Sequence, residues 1–168
     1  VLFRSIRIYE INAHPGGWFD GSVGAISNCI YTNNKSAAGQ NGVIFKVQMG
    51  EEINVTNCYA TGNSGKSIAG IGWGSSGLMK NVSIVNNTGT AIAFQGAAYT
   101  CQNMTISGNS SPTNGGIIDG SWEGASSISI YDCTIVGNSS ADGQNAMYIS
   151  GGTATIDFDN CIYVENGD

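Results

Sequence analysis

Charge is scarce in this chain. Only 11% of its 168 residues are Asp, Glu, Lys or Arg, against about a quarter in an ordinary globular domain. Lys and Arg number 6 against 12 Asp and Glu, for a net charge of −6. That balance argues against a nucleic-acid partner, which calls for a basic stripe. Proline is nearly missing, with 2 residues, and there is a single histidine. It lies in His14-Pro15-Gly16-Gly17, where a lone imidazole beside a Pro/Gly turn reads as a surface residue rather than a catalytic base. No run approaches the roughly 18 consecutive apolar residues that a membrane-spanning helix needs. No CxxC and no paired-His spacing is present, so the sequence offers no metal centre, and it suggests no cofactor.

What is abundant is Gly, with 25 residues, and a background of Ser, Asn and Thr. Such polarity alone would suit a disordered chain, but 41% of residues are hydrophobic and they recur periodically, which disorder does not require. Six segments share one pattern around a small apolar slot: Asn28-Cys29-Ile30-Tyr31, Asn57-Cys58-Tyr59-Ala60, Asn81-Val82-Ser83-Ile84, Asn103-Met104-Thr105-Ile106, Asp132-Cys133-Thr134-Ile135 and Asn160-Cys161-Ile162-Tyr163. Five residues after each slot stands an asparagine: Asn34, Asn63, Asn87, Asn109, Asn138 and Asn166. The slots are separated by steps of 29, 24, 22, 29 and 28 residues. A period of about 20–30 residues with strand-like rather than helical patterning is the signature of a β-solenoid.

Within each copy, apolar residues fall five and three before the slot, at the slot, and two after it. Examples are Ile128, Ile130, Cys133 and Ile135. Spacing by two is the strand period. The step of three marks a bend, and the residue before the slot, Asn or Asp, is of a type that tolerates turn conformations. Each copy then crosses a loop of variable length into a further strand, near 43–47, 67–71, 90–94, 116–119 and 146–149. The pattern therefore predicts an all-β fold, a right-handed parallel β-helix, with about three short strands per rung and six or so rungs. Parallel crossovers are right-handed almost without exception. Residues 1–5, VLFRS, match what a translated sequencing-adapter tail gives and are set apart as non-native. Residues 6–168 form the β-helix domain, with 6–22 a leading irregular rung, and the abrupt stop after the sixth copy suggests a piece of a longer solenoid.

The copies resemble the extracellular β-helix repeats of the polymorphic outer-membrane-protein type, within the larger pectin-lyase-like group. Those repeats alternate a Gly-Gly-Ala-Ile-like strand with a Phe-x-x-Asn-like turn. Here the strand element appears as Val23-Gly24-Ala25-Ile26, Gly115-Gly116-Ile117-Ile118 and Asn145-Ala146-Met147-Tyr148. The turn element appears as Tyr31-Thr32-Asn33-Asn34, Ile84-Val85-Asn86-Asn87, Ile106-Ser107-Gly108-Asn109 and Ile135-Val136-Gly137-Asn138, with Phe absent. The resemblance covers residues 23–166 and implies a secreted or cell-surface β-helix. The group holds adhesins, passenger domains, lyases and glycosidases, so it is specific for fold rather than for function.

The chemistry-bearing residues are few. Cys29, Cys58, Cys133 and Cys161 share the slot and Cys101 lies three before it, which reads as small buried hydrophobes in a core column. Adjacent-rung pairs Cys29/Cys58 and Cys133/Cys161 fall within disulfide reach, though their side chains run parallel. Asp157 and Asp159 project from one strand face close to Asp132 on the preceding rung, a pairing that could serve acid–base work or simply form a solvated edge. Polygalacturonase-like enzymes carry an Asp-Asp pair, a Gly-His-Gly and an Arg-x-Lys motif, and all are missing. The sequons at Asn34, Asn54, Asn81, Asn86, Asn103, Asn109 and Asn138 fit surface glycosylation, but several fall in stacked rows of Asn, an asparagine ladder whose amides can hydrogen-bond along the axis and must stay bare.

One outward row is more informative. The residues one and three past each slot include Thr32, Tyr59, Thr61, Val85, Thr105, Ser107, Thr134 and Val136, with no charge among them. Such a row fits a flat contact face for a glycan or a surface protein, joined by loops at 35–41, 110–115 and 139–144. It is also what β-propensity alone would place on an outer sheet. The expectation is an extracellular or cell-surface module for adhesion or binding, without chemistry of its own. The alternative is a fragment of a carbohydrate-active β-helix enzyme whose active site lies outside this segment. Ice binding is a minor third reading, for which a strict Thr-x-Thr array is missing.

Overall fold

A computed structural model of the chain describes residues 2–4, 7–9, 12–13, 18–20, 23–36, 42, 44–48, 52–72, 74–112, 118–119, 126–141, 147–148 and 154–164. Side chains are described from Val23 onward. Among these residues every element is a β-strand, and every strand pairing is parallel.

Three sheets run along the molecule. The first has seven strands in axial order: Leu2–Arg4, Gly24–Ser27, Ile53–Thr56, Ser76–Lys80, Ala98–Gln102, Ser126–Tyr131 and Ala154–Asp159. The second, also seven-stranded, stacks Arg7–Tyr9, Ile30–Thr32, Tyr59–Thr61, Ser83–Val85, Thr105–Ser107, Thr134–Val136 and Ile162–Val164. The third, with ten strands, is less regular. Its longest members are Ser64–Gly72 and Thr88–Gln95, and their pairing shifts register between Ser64 and Ser67. Neighbours within each sheet come from successive copies of the repeat, so the chain is a parallel β-helix as the period predicts. The set-apart residues 2–4 pair with Gly24–Ser27, and residues 7–9 pair with Ile30–Thr32.

The bend between the first and second sheets has one geometry throughout. Asn28, Asn57, Asn81, Asn103, Asp132 and Asn160 all take left-handed backbone angles, with φ of 52–56°. Asn and Asp bear this conformation at lower cost than other side chains because they bond locally. The slot residue follows and turns inward, which explains its preference for small groups. The thiols of Cys29, Cys58, Cys133 and Cys161 donate to the carbonyl two residues earlier, at 3.3, 3.3, 3.0 and 3.2 Å.

The core is built of columns. Ile26, Val55, Met79, Cys101 and Ile130 stack under the first sheet, and Tyr31, Ala60, Ile84, Ile106 and Ile135 under the second, all buried. Phe45, Ala69, Ile92 and Ile118 stack under the third. At the last strands the same columns emerge, with Phe158 and Tyr163 each 43% exposed. They border a recess of about 420 Å³ with Met147, Asn160 and Cys161.

A second column is polar yet buried. Asn34, Asn63, Asn87 and Asn109 hydrogen-bond in sequence along the axis. Each amide Nδ2 donates to the next Oδ1 at 2.9, 2.9 and 3.0 Å, and Asn109 donates to Asn138 at 3.0 Å. The same Oδ1 atoms accept the backbone N–H of the preceding asparagine. Buried polar groups survive only when satisfied, and this ladder satisfies them rung by rung. Asn166 lies outside the described residues.

Candidate contact face

The second sheet contributes three residues per rung. The middle one points inward, so the first and third point outward on every strand. The register then assembles two continuous columns. One runs Ile30, Tyr59, Ser83, Thr105, Thr134, Ile162, and the other Thr32, Thr61, Val85, Ser107, Val136, Val164. All eight residues singled out from the sequence (Thr32, Tyr59, Thr61, Val85, Thr105, Ser107, Thr134 and Val136) stand in these columns. No register shift interrupts the sheet. The register carries the columns one strand further, to Arg7 and Tyr9.

From Ile30 to Val164 the face has no charged residue. Most of its side chains are half-buried against their neighbours; the exposed ones are Ile162 and Val164 on the last strand and, within the face, Tyr59 at 41% between Ile30 and Ser83. Two turn rows border it. On one side Asn33, Gly62, Asn86, Gly108 and Gly137 share a left-handed backbone. On the other, the bend residues form an exposed amide row: Asn57 donates to Asn28 at 3.2 Å, Asn81 to Asn57 at 2.8 Å and Asn103 to Asn81 at 2.7 Å. Asp132 has no amide to donate toward Asn103, so the donor chain breaks there, and Asp132 itself accepts from Asn160 Nδ2 at 2.6 Å. The sequence marks these residues as turn formers, and stacked rows of Asn can hydrogen-bond along the axis; that this row stands beside the contact columns appears only in three dimensions.

Other candidates are placed less favourably. Asp157 and Asp159 are exposed on the outer face of the first sheet; Ser129 and Tyr131 lie beside them in register, and Asp132 is close as expected, its backbone N–H donating to Asp159 O at 3.1 Å. Among the described residues no group of three or more His, Cys, Asp or Glu is placed to hold a metal ion. None of the five cysteines is in a disulfide, and all but Cys161 are buried. Burial pushes the Cys58 and Cys133 thiols up to about 11, and Cys101 higher still, with neighbouring thiols adding to each. They are protonated and unreactive at neutral pH. Asn34, Asn109 and Asn138 are buried, so these three sequons are closed to glycosylation, while Asn81, Asn86 and Asn103 are exposed. His14 and most of the three loops, at 37–41, 113–115 and 142–144, lie outside the described residues.

A second concavity was not anticipated. A cleft of about 410 Å³ lies between strands of successive rungs, lined by Gly74, Ser75, Gly96, Ala97, Ala98, Ser126, Ser127 and Thr155. Residues so far apart in sequence meet because they hold equivalent places on successive rungs, with Ala98 beside Ser127 and Ser127 beside Thr155 in register.

No family model matches this chain, and neither the curated proteins nor the solved structures contain a match to it.

Proposed function

We propose that the chain is part of an extracellular or cell-surface β-helix of the polymorphic outer-membrane-protein and pectin-lyase-like type, serving as a binding or adhesion module. The observation that carries this reading is the second sheet's outer face. Twelve outward positions in two unbroken columns hold no charge, mostly β-branched side chains, and one protruding tyrosine. A rigid scaffold that repeats its outward chemistry at each rung is suited to holding a surface rather than to concentrating reactive groups at one point. The test is surface binding by the intact protein, with the carbohydrate recovered and analysed afterwards. Binding without change in the bound glycan, lost on Thr105→Glu in a folded protein, is the expected result. Release of shortened or unsaturated products would sink it.

One observation favours a second reading, a fragment of a carbohydrate-active enzyme. The cleft wall residue Thr155 shares a strand with Asp157 and Asp159, so an acid pair lies at the cleft's end. Catalytic partners would then have to come from rungs outside this segment.

A further inference from the structure

We infer that the outer face of the second sheet, together with the exposed amide row beside it, binds a single neutral polysaccharide chain lying along the solenoid axis. The inference rests on reading this face as the contact surface and names what it contacts.

Size decides against a protein partner on this face alone. Three residues per strand at about 3.3 Å each give a width of roughly 10 Å, and six strands about 4.8 Å apart give a length of roughly 29 Å. The patch is therefore on the order of 300 Å², well short of the roughly 800 Å² per partner in a stable protein interface. A single extended polymer needs no more width than this.

Charge narrows the class further. An anionic polysaccharide or a nucleic acid would be held by Lys or Arg, and the columns from Ile30 to Val164 offer neither. What they offer suits neutral sugars. Tyr59 presents an exposed ring, on which the C–H face of a pyranose can stack while its hydroxyls stay wet. Ser83 stands beside it in register and Thr61 follows on its own strand, and Thr105 and Ser107 extend the hydroxyls two strands along the axis. In the amide row, Asn57 and Asn81 each spend one N–H and one lone pair on neighbours. A primary amide has two of each, so these two exposed residues each keep one donor and one acceptor for a ligand. They stand one rung apart, so a chain lying along the axis meets the same pair of groups twice. The protruding ring breaks the flatness that an ice lattice would require.

The test is affinity electrophoresis of the 168-residue chain through gels containing hydroxyethylcellulose, galactomannan or, as the anionic control, polygalacturonate. Retardation by a neutral polymer and none by polygalacturonate is expected. Tyr59→Ala should weaken it about tenfold, the upper end for loss of one aromatic contact. Thr105→Glu should abolish it with circular dichroism unchanged, and Ser129→Ala on the first sheet should leave it intact. No retardation by either neutral polymer, or retardation indifferent to Tyr59→Ala and Thr105→Glu, overturns the inference. If Thr105→Glu abolishes attachment to cells while neither neutral polymer retards the protein, the contact face stands and the ligand class falls. Uptake into growing ice, blocked by the same substitution, would reassign the face to ice. If Thr105→Glu affects neither attachment nor retardation, both readings fall.

Discussion

Replacing Asn87 by alanine tests the logic of the fold most directly, because this side chain serves three rungs at once. Its Nδ2 donates to Ala60 O at 3.1 Å, Val85 O at 3.0 Å and Asn109 Oδ1 at 3.0 Å. Its Oδ1 accepts from the backbone N–H and the amide of Asn63, both at 2.9 Å. Alanine would leave the Asn63 N–H without its acceptor and withdraw a donor from two carbonyls, all in the interior. Each buried group stranded in this way costs about 1–3 kcal/mol, so the expected loss for the three is about 3–9 kcal/mol. That is a large share of the roughly 5–15 kcal/mol that holds a typical domain folded. The exposed row provides the control. Asn81 also links two neighbours, through bonds of 2.8 and 2.7 Å, but water can replace both. Asn81→Gly keeps the left-handed backbone at φ 56° and should cost under about 1.5 kcal/mol, the net worth of an ordinary hydrogen bond. Urea unfolding followed by circular dichroism measures both, with the slope compared to check that one cooperative unit unfolds. A cost for Asn87→Ala below about 1 kcal/mol, or equal to that of Asn81→Gly, would refute the view that the inner ladder holds the rungs together.

Two further predictions concern the thiols and the glycines. In the native protein at pH 8 a thiol reagent should label Cys161 first, since it alone is partly exposed, and reach the other four only on unfolding; rapid labelling of Cys29 or Cys58 would contradict the packed column. Because Cys58 and Cys133 hold their protons up to about pH 11 when folded but lose them near 9 when unfolded, the unfolded state binds fewer protons between those values. Stability is therefore full below about pH 9 and falls as pH rises toward 11, and a melting temperature flat across that window would count against it. Gly89 has φ +138°, and a Cβ there would run into the carbonyl oxygen of Gly65, whereas a Cβ on Gly137, at φ +63°, would meet nothing within 4 Å. Gly89→Ala should cost about 1–3 kcal/mol or more, while Gly137→Asn, which copies Asn33 and Asn86 in the same row, should be nearly neutral by thermal melting.

The first two sheets were legible because their strands keep fixed distances from the slot. Ile128, Ile130, Cys133 and Ile135 are buried as the alternation requires, and positions equal in the repeat are equal in register, as in Ser107↔Val136 and Cys101↔Ile130. The contact columns follow from the same arithmetic. The third sheet was less legible, since loops of unequal length precede it and Ser64–Gly72 carries a register shift. Nothing local signals the cleft, because Gly74, Gly96 and Ser126 are neighbours only after 22 and then 30 residues of intervening chain. Axial bonding of stacked Asn was legible, but the break in the exposed row at Asp132, which accepts from Asn160 and has no amide to pass on, shows only in the hydrogen bonds.

The alternation that made the fold readable also separates its two jobs. In Thr105-Ile106-Ser107, Ile106 is 2% exposed and holds the core, while its neighbours face outward. An outward substitution removes little buried apolar area, so it should change what the face touches at small cost in stability. The inner columns tolerate only groups that fit between adjacent rungs, as Tyr31 over Ala60 shows, a large side chain matched with a small one. A scaffold of this kind can vary its outward chemistry at twelve positions without renegotiating its core, and this is the physical reason the proposed binding role is assigned to the face and not to the thiols or the scattered acids.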